Sequence, residues 1–138
     1  MDRKKKRILV VEDGLHAAGR LMRALRILGS DPIHITYLES MEDGRLVGWS
    51  NIDCLRPVEV EVREIQRAYI DYDLGSCSFN GCDIVRELRS SGVERIVGIS
   101  SDRSFNGRLQ KAGAKRSRSK SEIIYRLECW AERKADGK

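Results

Sequence analysis

The sequence predicts an α/β domain built on a parallel sheet. Short β-branched and aliphatic runs alternate with stretches whose apolar residues recur every three or four positions, and acidic or hydroxyl residues follow several of those runs directly. At 138 residues the chain suits one domain with a core of its own, and it carries no internal repeat and no low-complexity linker. Alternation of this kind calls for right-handed crossovers with helices packed on both faces of the sheet.

The elements follow in order. Residues 8–11 (ILVV) form a continuous run, as expected of a parallel strand buried on both faces, and they end in Glu12, Asp13 and Gly14. Leu15, Ala18, Leu21, Met22, Leu25 and Leu28 share one helical face, and Gly29 can stop that helix. Residues 33–38 read as a second strand. Ala68, Tyr69 and Ile70 form a short third strand that ends in Asp71. Ile84, Val85 and Leu88 give the next helix, closed near Gly92, and residues 96–99 a fourth strand ending in Ser100 and Ser101. Phe105, Leu109 and Ala112 mark a short helix before Gly113. Ile123, Ile124, Leu127, Trp130 and Ala131 form the apolar face of a last one. Between these two helices, residues 115–120 (KRSRSK) stand where an edge strand belongs and contain no apolar residue.

One stretch departs from the alternation. Residues 39–66 lack a helical period, and Val58, Val60 and Val62 alternate with Glu59, Glu61 and Arg63, which is strand periodicity. With Leu46, Val47 and Trp49 ahead of a Ser50-Asn51 turn signal, the stretch reads as a β-hairpin insertion that replaces or covers the second crossover helix. Its valines either seal the sheet or present a strand edge on which another chain, such as a second copy in a homodimer, could add. Trp49 is correspondingly either a cover for its own domain or a partner-binding anchor.

Composition narrows the function classes. Charged residues make up 34% and hydrophobic ones 41%, and no apolar run approaches the roughly 18 residues of a membrane span. The start, MDRKKKRILVVED, is too briefly apolar for a signal peptide, so a cytoplasmic location is expected. The four cysteines form no CxxC pair and are expected as thiols. The net charge of +5 sits mainly in residues 3–7 and 115–120, with no aromatic residue interleaved as a stacking platform, so nucleic acid is not expected as a partner. Residues 39–67 carry seven Asp/Glu against four Arg, so the charge is polarised along the chain.

The residues expected at strand ends carry the chemistry, because ligands of a parallel α/β sheet gather outside the carboxyl ends of its strands. These are Glu12 and Asp13 after the first strand, Asp71 after the third, Ser100 after the fourth and Lys120 after the fifth. Three carboxylates brought together repel, which demands a cation among them. A hard ion such as Mg²⁺ suits oxygen ligands and leaves coordination positions free for a phosphoryl oxygen. Taken singly, Asp71 also reads as a strand-end cap, Ser100 as a hydroxyl bonded to backbone and Lys120 as a surface lysine. His16 and His34 have no second ligand or nucleophile nearby in sequence and read as ordinary.

The motifs ILVVED, AYIDYDLG, VGISS and KAGAKRSRSK, in this order with a leucine-rich opening helix, resemble the receiver domain of two-component response regulators, the fold of the chemotaxis regulator. The resemblance covers the chain except for residues 39–66. It implies a single receiver domain over 1–138, with a basic tail at 1–6, an atypical insertion at 39–67 and a polar C-terminal tail at 132–138. It further implies a flavodoxin-like, doubly wound five-stranded sheet of order 2-1-3-4-5. Asp71 would be the phosphoacceptor, with Glu12, Asp13, Asp71 and the backbone carbonyl of Asp73 holding Mg²⁺. Ser100 would hydrogen-bond the phosphoryl group and Lys120 pair with its oxygens. The donor would be the phosphohistidine of a histidine kinase or histidine phosphotransfer protein, and the signal would pass to an output protein. The chain would then be a stand-alone switch, not an enzyme acting on external substrates.

Three positions depart from the family pattern. Gly75 and Ser121 stand where prolines are usual, and Ser117 replaces the aromatic residue of the fifth strand, so the usual hydroxyl-to-aromatic coupling lacks its ring. Two other readings stay open. Asp71-Tyr72-Asp73 after an apolar strand also resembles the opening motif of haloacid-dehalogenase phosphatases, with Asp71 as nucleophile and Asp73 as acid. A receiver-like scaffold independent of phosphorylation is the other.

Overall fold

The computed structural model describes residues 5–75 and 78–137; most of the basic tail (1–4), Ser76, Cys77 and Lys138 lie outside the described residues. The apolar runs become a five-stranded sheet of β1 (Arg7–Val11), β2 (Asp31–Ile35), β6 (Arg67–Ile70), β7 (Ile96–Ile99) and β8 (Arg116–Arg118). Their order is β2-β1-β6-β7-β8, every neighbouring pair is parallel, and in chain order of the five strands this is the expected 2-1-3-4-5. The segment without apolar residues is the edge strand β8; only Ser117 of its three residues is buried.

Side-chain alternation along β1 divides the core. Leu9 and Val11 face one side, with Ile35, Ala68, Ile70 and Ile96, where α2 (Gly81–Ser90) and α3 (Arg103–Ala112) contribute Ile84, Val85, Leu88 and Leu109. Ile8 and Val10 face the other side, with Tyr69 and Ile99, under α1 (Leu15–Ile27) and α4 (Lys120–Ala135). Each helix start has a physical cause. Asn80 and Asp83 form a reciprocal capping box on α2, with backbone-to-side-chain distances of 2.9 and 3.1 Å. Asp102 and Ser119 cap α3 and α4. The last helix continues through residues 132–135, the first part of the stretch read as a tail, because its buried Ala131 lies in the interior of a helix that still has basic residues to complete its final turn. No helix among the described residues is long and apolar enough to cross a membrane.

The insertion is larger than a hairpin. Residues 37–61 form a three-stranded antiparallel sheet of β3 (Tyr37–Glu42), β4 (Arg45–Ser50) and β5 (Arg56–Glu61). Tyr37 and Leu38, expected in the second strand, begin β3 instead. The chain leaves the main sheet at Thr36, whose N–H donates to the Trp49 carbonyl at 2.8 Å. Asp43 and Gly44 then reverse it with positive φ of 51° and 73°, the geometry of a tight two-residue hairpin.

The valine alternation seals the core. Val60 and Val62 are 3% and 0% exposed and join Leu38 and Leu46 against Leu9, Val11 and Ile35, so this small sheet covers the face where a crossover helix is missing. The valine side chains face the core and Val58 is partly buried, while β5 is an outer strand of the small sheet. Val62 itself lies in a 3₁₀ turn (Val62–Glu64) rather than in β5. On the solvent side, Arg45 sits 3.1 Å from Glu59 and 3.4 Å from Glu61, exposed pairs worth little to stability.

Because the covering sheet shares one core with the main sheet, Leu46→Ala is expected to destabilise the whole domain by about 2–5 kcal/mol. Urea unfolding followed by far-ultraviolet circular dichroism and by tryptophan fluorescence should shift together. Two separated transitions would show that the covering sheet unfolds as an independent flap.

Candidate functional site

The parallel pairing of β1 with β6 sets Val11 opposite Ile70, so the residues that follow, Glu12 and Asp71, emerge side by side at the carboxyl end of the sheet. The Asp71 N–H donates to the Val11 carbonyl at 3.0 Å and extends the ladder by one step. Glu12 is 0% and Asp71 4% exposed, whereas Asp13 points outward. One oxygen from each of Glu12, Asp13 and Asp71 lies within 4.8 Å of the others. Lys120, the first residue of α4, reaches into this group. Its Nζ is 2.6 Å from Glu12 Oε1 and 3.2 Å from Asp71 Oδ2.

Backbone donors fix the remaining oxygens. Gly14 N–H donates to Glu12 Oε2 at 3.0 Å, and Tyr72 N–H to Asp71 Oδ1 at 2.8 Å. Helix α2 also closes on the site, and only glycine allows it at position 81. A Cβ there would lie 2.1 Å from the Asp71 carbonyl oxygen.

The electrostatics follow from burial. Desolvation, reinforced by the Glu12 charge and opposed by Lys120, raises the Asp71 carboxyl to about 7. Asp13 is pushed upward by desolvation and by Glu12. Burial alone would lower Lys120, but the two carboxylates it touches hold its ammonium above the usual lysine range. One ammonium therefore faces two carboxylates in contact and a third beside them, an all-oxygen donor set with negative charge left over. That arrangement fits a hard divalent cation.

Ser100 is buried at the end of β7. Its Oγ accepts from the Asp102 N–H at 3.1 Å, which leaves its own proton available to donate. The Asp73 carboxylate is exposed and accepts the Gly75 N–H at 3.1 Å, so it serves the turn.

Three residues of consequence were not singled out by their chemistry in the sequence. His34 on β2, read as ordinary, is buried and spans two elements. Nε2 is 2.8 Å from the Glu12 carbonyl and Nδ1 2.8 Å from Ser50 Oγ. A carbonyl only accepts, so Nε2 carries the proton and Nδ1 accepts from Ser50. Desolvation keeps His34 below the usual histidine range, in line with that neutral form. Asn106 on α3 donates to the Ser100 carbonyl at 2.9 Å and accepts from the Ser117 hydroxyl at 2.7 Å, bridging β7 and β8. Phe105 stacks on Tyr72, the residue after Asp71, with ring centroids 4.0 Å apart, and Arg108 lies 5.8 Å from each ring centre.

The Asp71 shift sets a pH dependence. In the unfolded chain this carboxyl titrates near 3.9, so between about 4 and 7 the folded state holds a proton that the unfolded state has lost, and stability falls as pH rises. In metal-free buffer the contribution of Asp71 to unfolding free energy should be larger at pH 5 than at pH 8, and Asp71→Asn should remove that difference. Equal pH dependence in both proteins, measured by urea unfolding, would mean that Asp71 titrates normally.

No protein-family model matches the sequence, and no curated protein sequence matches it. Solved structures do. The BeF₃-activated DrrB receiver domain has a TM-score of 0.58 at 15% identity, covering 93% of this chain and 98% of that one. A two-component response regulator from Clostridium difficile has a TM-score of 0.58 at 12% identity, covering 94% and 97%. A response regulator protein from Burkholderia pseudomallei, with a phosphorylated aspartic acid, calcium ion and citrate, has a TM-score of 0.56 at 17% identity, covering 96% of this chain and 72% of its own. These likenesses span the chain: with its strand order it has the flavodoxin-like receiver-domain fold of response regulators, and an added antiparallel sheet.

Proposed function

We propose that this chain is a phosphorylation-dependent signalling switch that accepts a phosphoryl group on Asp71. The observation that carries the reading is a buried carboxylate held 3.2 Å from a lysine ammonium, with two further carboxylates within 4.8 Å, at adjacent strand ends of a receiver fold. A carboxylate oxygen of Asp71 attacks the phosphorus of a phosphohistidine, the new O–P bond forms as the N–P bond breaks, and the imidazole leaves with the electron pair. Lys120 stays positioned against the Asp71 oxygen and neutralises charge on the transferred group, and the Ser100 hydroxyl donates to one of its oxygens. Glu12, Asp13, Asp71 and the Asp73 carbonyl are the residues that would hold Mg²⁺, which would supply further positive charge to the phosphoryl oxygens. The donor is a histidine kinase or histidine phosphotransfer protein, and the protein works in the cytoplasm. The hydrolase reading has less support, because the acid it needs, Asp73, is engaged with the Gly75 N–H.

Incubation with Mg²⁺ and acetyl phosphate should add one phosphoryl group to the intact mass of the wild type and none to Asp71→Asn. Lys120→Ala should slow the transfer about a hundredfold. A phosphoryl adduct on Asp71→Ala would refute the acceptor assignment, and sustained, Asp73-dependent hydrolysis of a phosphomonoester would make the protein a phosphatase.

Without a phosphodonor, Mg²⁺ at about 100 times its dissociation constant should stabilise the wild type by about 2.7 kcal/mol. Asp71→Asn should respond more weakly to the ion, having lost one anionic ligand. If Mg²⁺ leaves the melting temperature of the wild type unchanged, the three acids do not form its site.

A further inference from the structure

The end of the sheet opposite Asp71 carries a second site. Arg67 opens β6, Arg95 immediately precedes β7, and Lys115 and Arg116 lead into β8, so parallel pairing gathers four cations from three distant stretches of sequence. Together with Arg118 and Arg126 they line a cleft of about 310 Å³ between these strands and α4, and no described lining residue is a carboxylate. Arg118 and Arg126 share Glu122, at 3.8 and 3.6 Å, whereas Arg67, Arg95, Lys115 and Arg116 form no ion pair among the described residues. The cleft continues into a second cavity of about 410 Å³ lined by Lys5 and Lys6, again without a described carboxylate. The two share Arg67, Leu127 and Trp130.

Trp130 stands at that junction with 47% of its surface exposed, above the buried Tyr69 and Leu127. The 115–120 charges have no aromatic neighbour in sequence. The fold supplies one from α4, and with it the combination that single-stranded nucleic acid requires: a track of cations for the phosphates and an indole face on which a base stacks. An acidic peptide would use the charge and leave the indole unused, and a flat anionic membrane would not enter a recessed cleft.

We propose that this cleft binds single-stranded nucleic acid, with Trp130 stacking a base and Arg67, Arg95, Lys115 and Arg116 contacting phosphates. The site is independent of Asp71, which lies at the other end of the strands.

The test is fluorescence anisotropy of the full chain with labelled oligo(dT) and oligo(U) of about 16 nucleotides, the upper end of single-domain site sizes. Wild type should bind, and log K should fall with log salt by about 0.7 for each phosphate neutralised. Trp130→Ala should weaken binding about tenfold or more. Arg95→Glu with Arg116→Glu should weaken it further and flatten the salt dependence, while Lys111→Glu on the opposite helical layer should leave it unchanged. In Trp49→Phe, which leaves Trp130 as the one tryptophan of the two in the chain, saturating oligonucleotide should quench the emission. Melting curves establish that each variant is folded. The proposal is overturned by absence of binding at low salt, by Trp130→Ala binding as wild type, by quenching that fails to occur, or by tighter capture of phosphatidylserine vesicles or a poly-glutamate peptide than of either oligonucleotide.

Discussion

The contact of the Lys120 ammonium with Glu12 and Asp71 is the interaction on which the carboxyl end of the sheet depends. Parallel pairing of β1 and β6 forces Glu12 and Asp71 together in a buried place, while the one cation of each strand, Arg7 and Arg67, stands at the opposite end. The ammonium comes from the far side of the sheet, at the first position of α4, where the Ser119 cap fixes the helix start and hence the point from which Lys120 reaches inward. The residual imbalance is as informative as the pairing. Burial raises the Asp71 carboxyl to about 7, the Glu12 charge adds to the rise and Lys120 opposes it, so one ammonium does not offset the desolvation of the acids it touches.

The covering sheet is tied to the same place by one histidine. His34 takes its acceptor from the Glu12 carbonyl and its donor from Ser50 on β4, so the backbone that aims Glu12 is anchored in β2 and β4 together. A crossover helix in this position would pack on the sheet through side chains. Here a strand approaches closely enough for a polar link, and neutral imidazole fits a buried gap between a carbonyl and a hydroxyl without adding charge beside the acids. The insertion thereby fills a missing layer and stiffens the loop that presents two of the three carboxylates.

Much of this was legible in the sequence because it is local. The buried strands announce themselves as unbroken aliphatic runs, and the acids stand directly at their ends. The second sheet is legible only in part: Val58, Val60 and Val62 signal a strand, but the acidic run around Asp43-Gly44 hides the reversal, and Tyr37 and Leu38 read as the continuation of β2 because an apolar run does not say where its hydrogen-bond partner changes. His34 and Asn106 were unreadable for a different cause. Each is polar and matters through partners that only the fold brings near, Ser50 and the Glu12 carbonyl for one, Ser117 and the Ser100 carbonyl for the other. The basic cleft lies further still from sequence logic, since Arg67, Arg95 and Arg116 become neighbours only through strand pairing, and the indole that completes them lies on the last helix.

The loss of an aromatic residue at Ser117 acquires a structural meaning beside Asn106 and Phe105. Ser117 is buried in β8, and its Oγ lies close against Gly98 of the neighbouring strand, where an added Cβ would fall 2.4 Å from it and 2.9 Å from Leu109. The small hydroxyl instead holds the Asn106 amide, whose other end holds the Ser100 carbonyl, and the next residue in the chain, Phe105, lies flat against Tyr72. Consecutive residues of α3 thus grip the backbone of Ser100 and the side chain that follows Asp71. Both contacts are made from one helix, and the Ser117 hydroxyl of β8 completes the link through Asn106. A displacement at either Ser100 or Tyr72 therefore strains a contact to α3, which couples the ends of β6 and β7 through one helix.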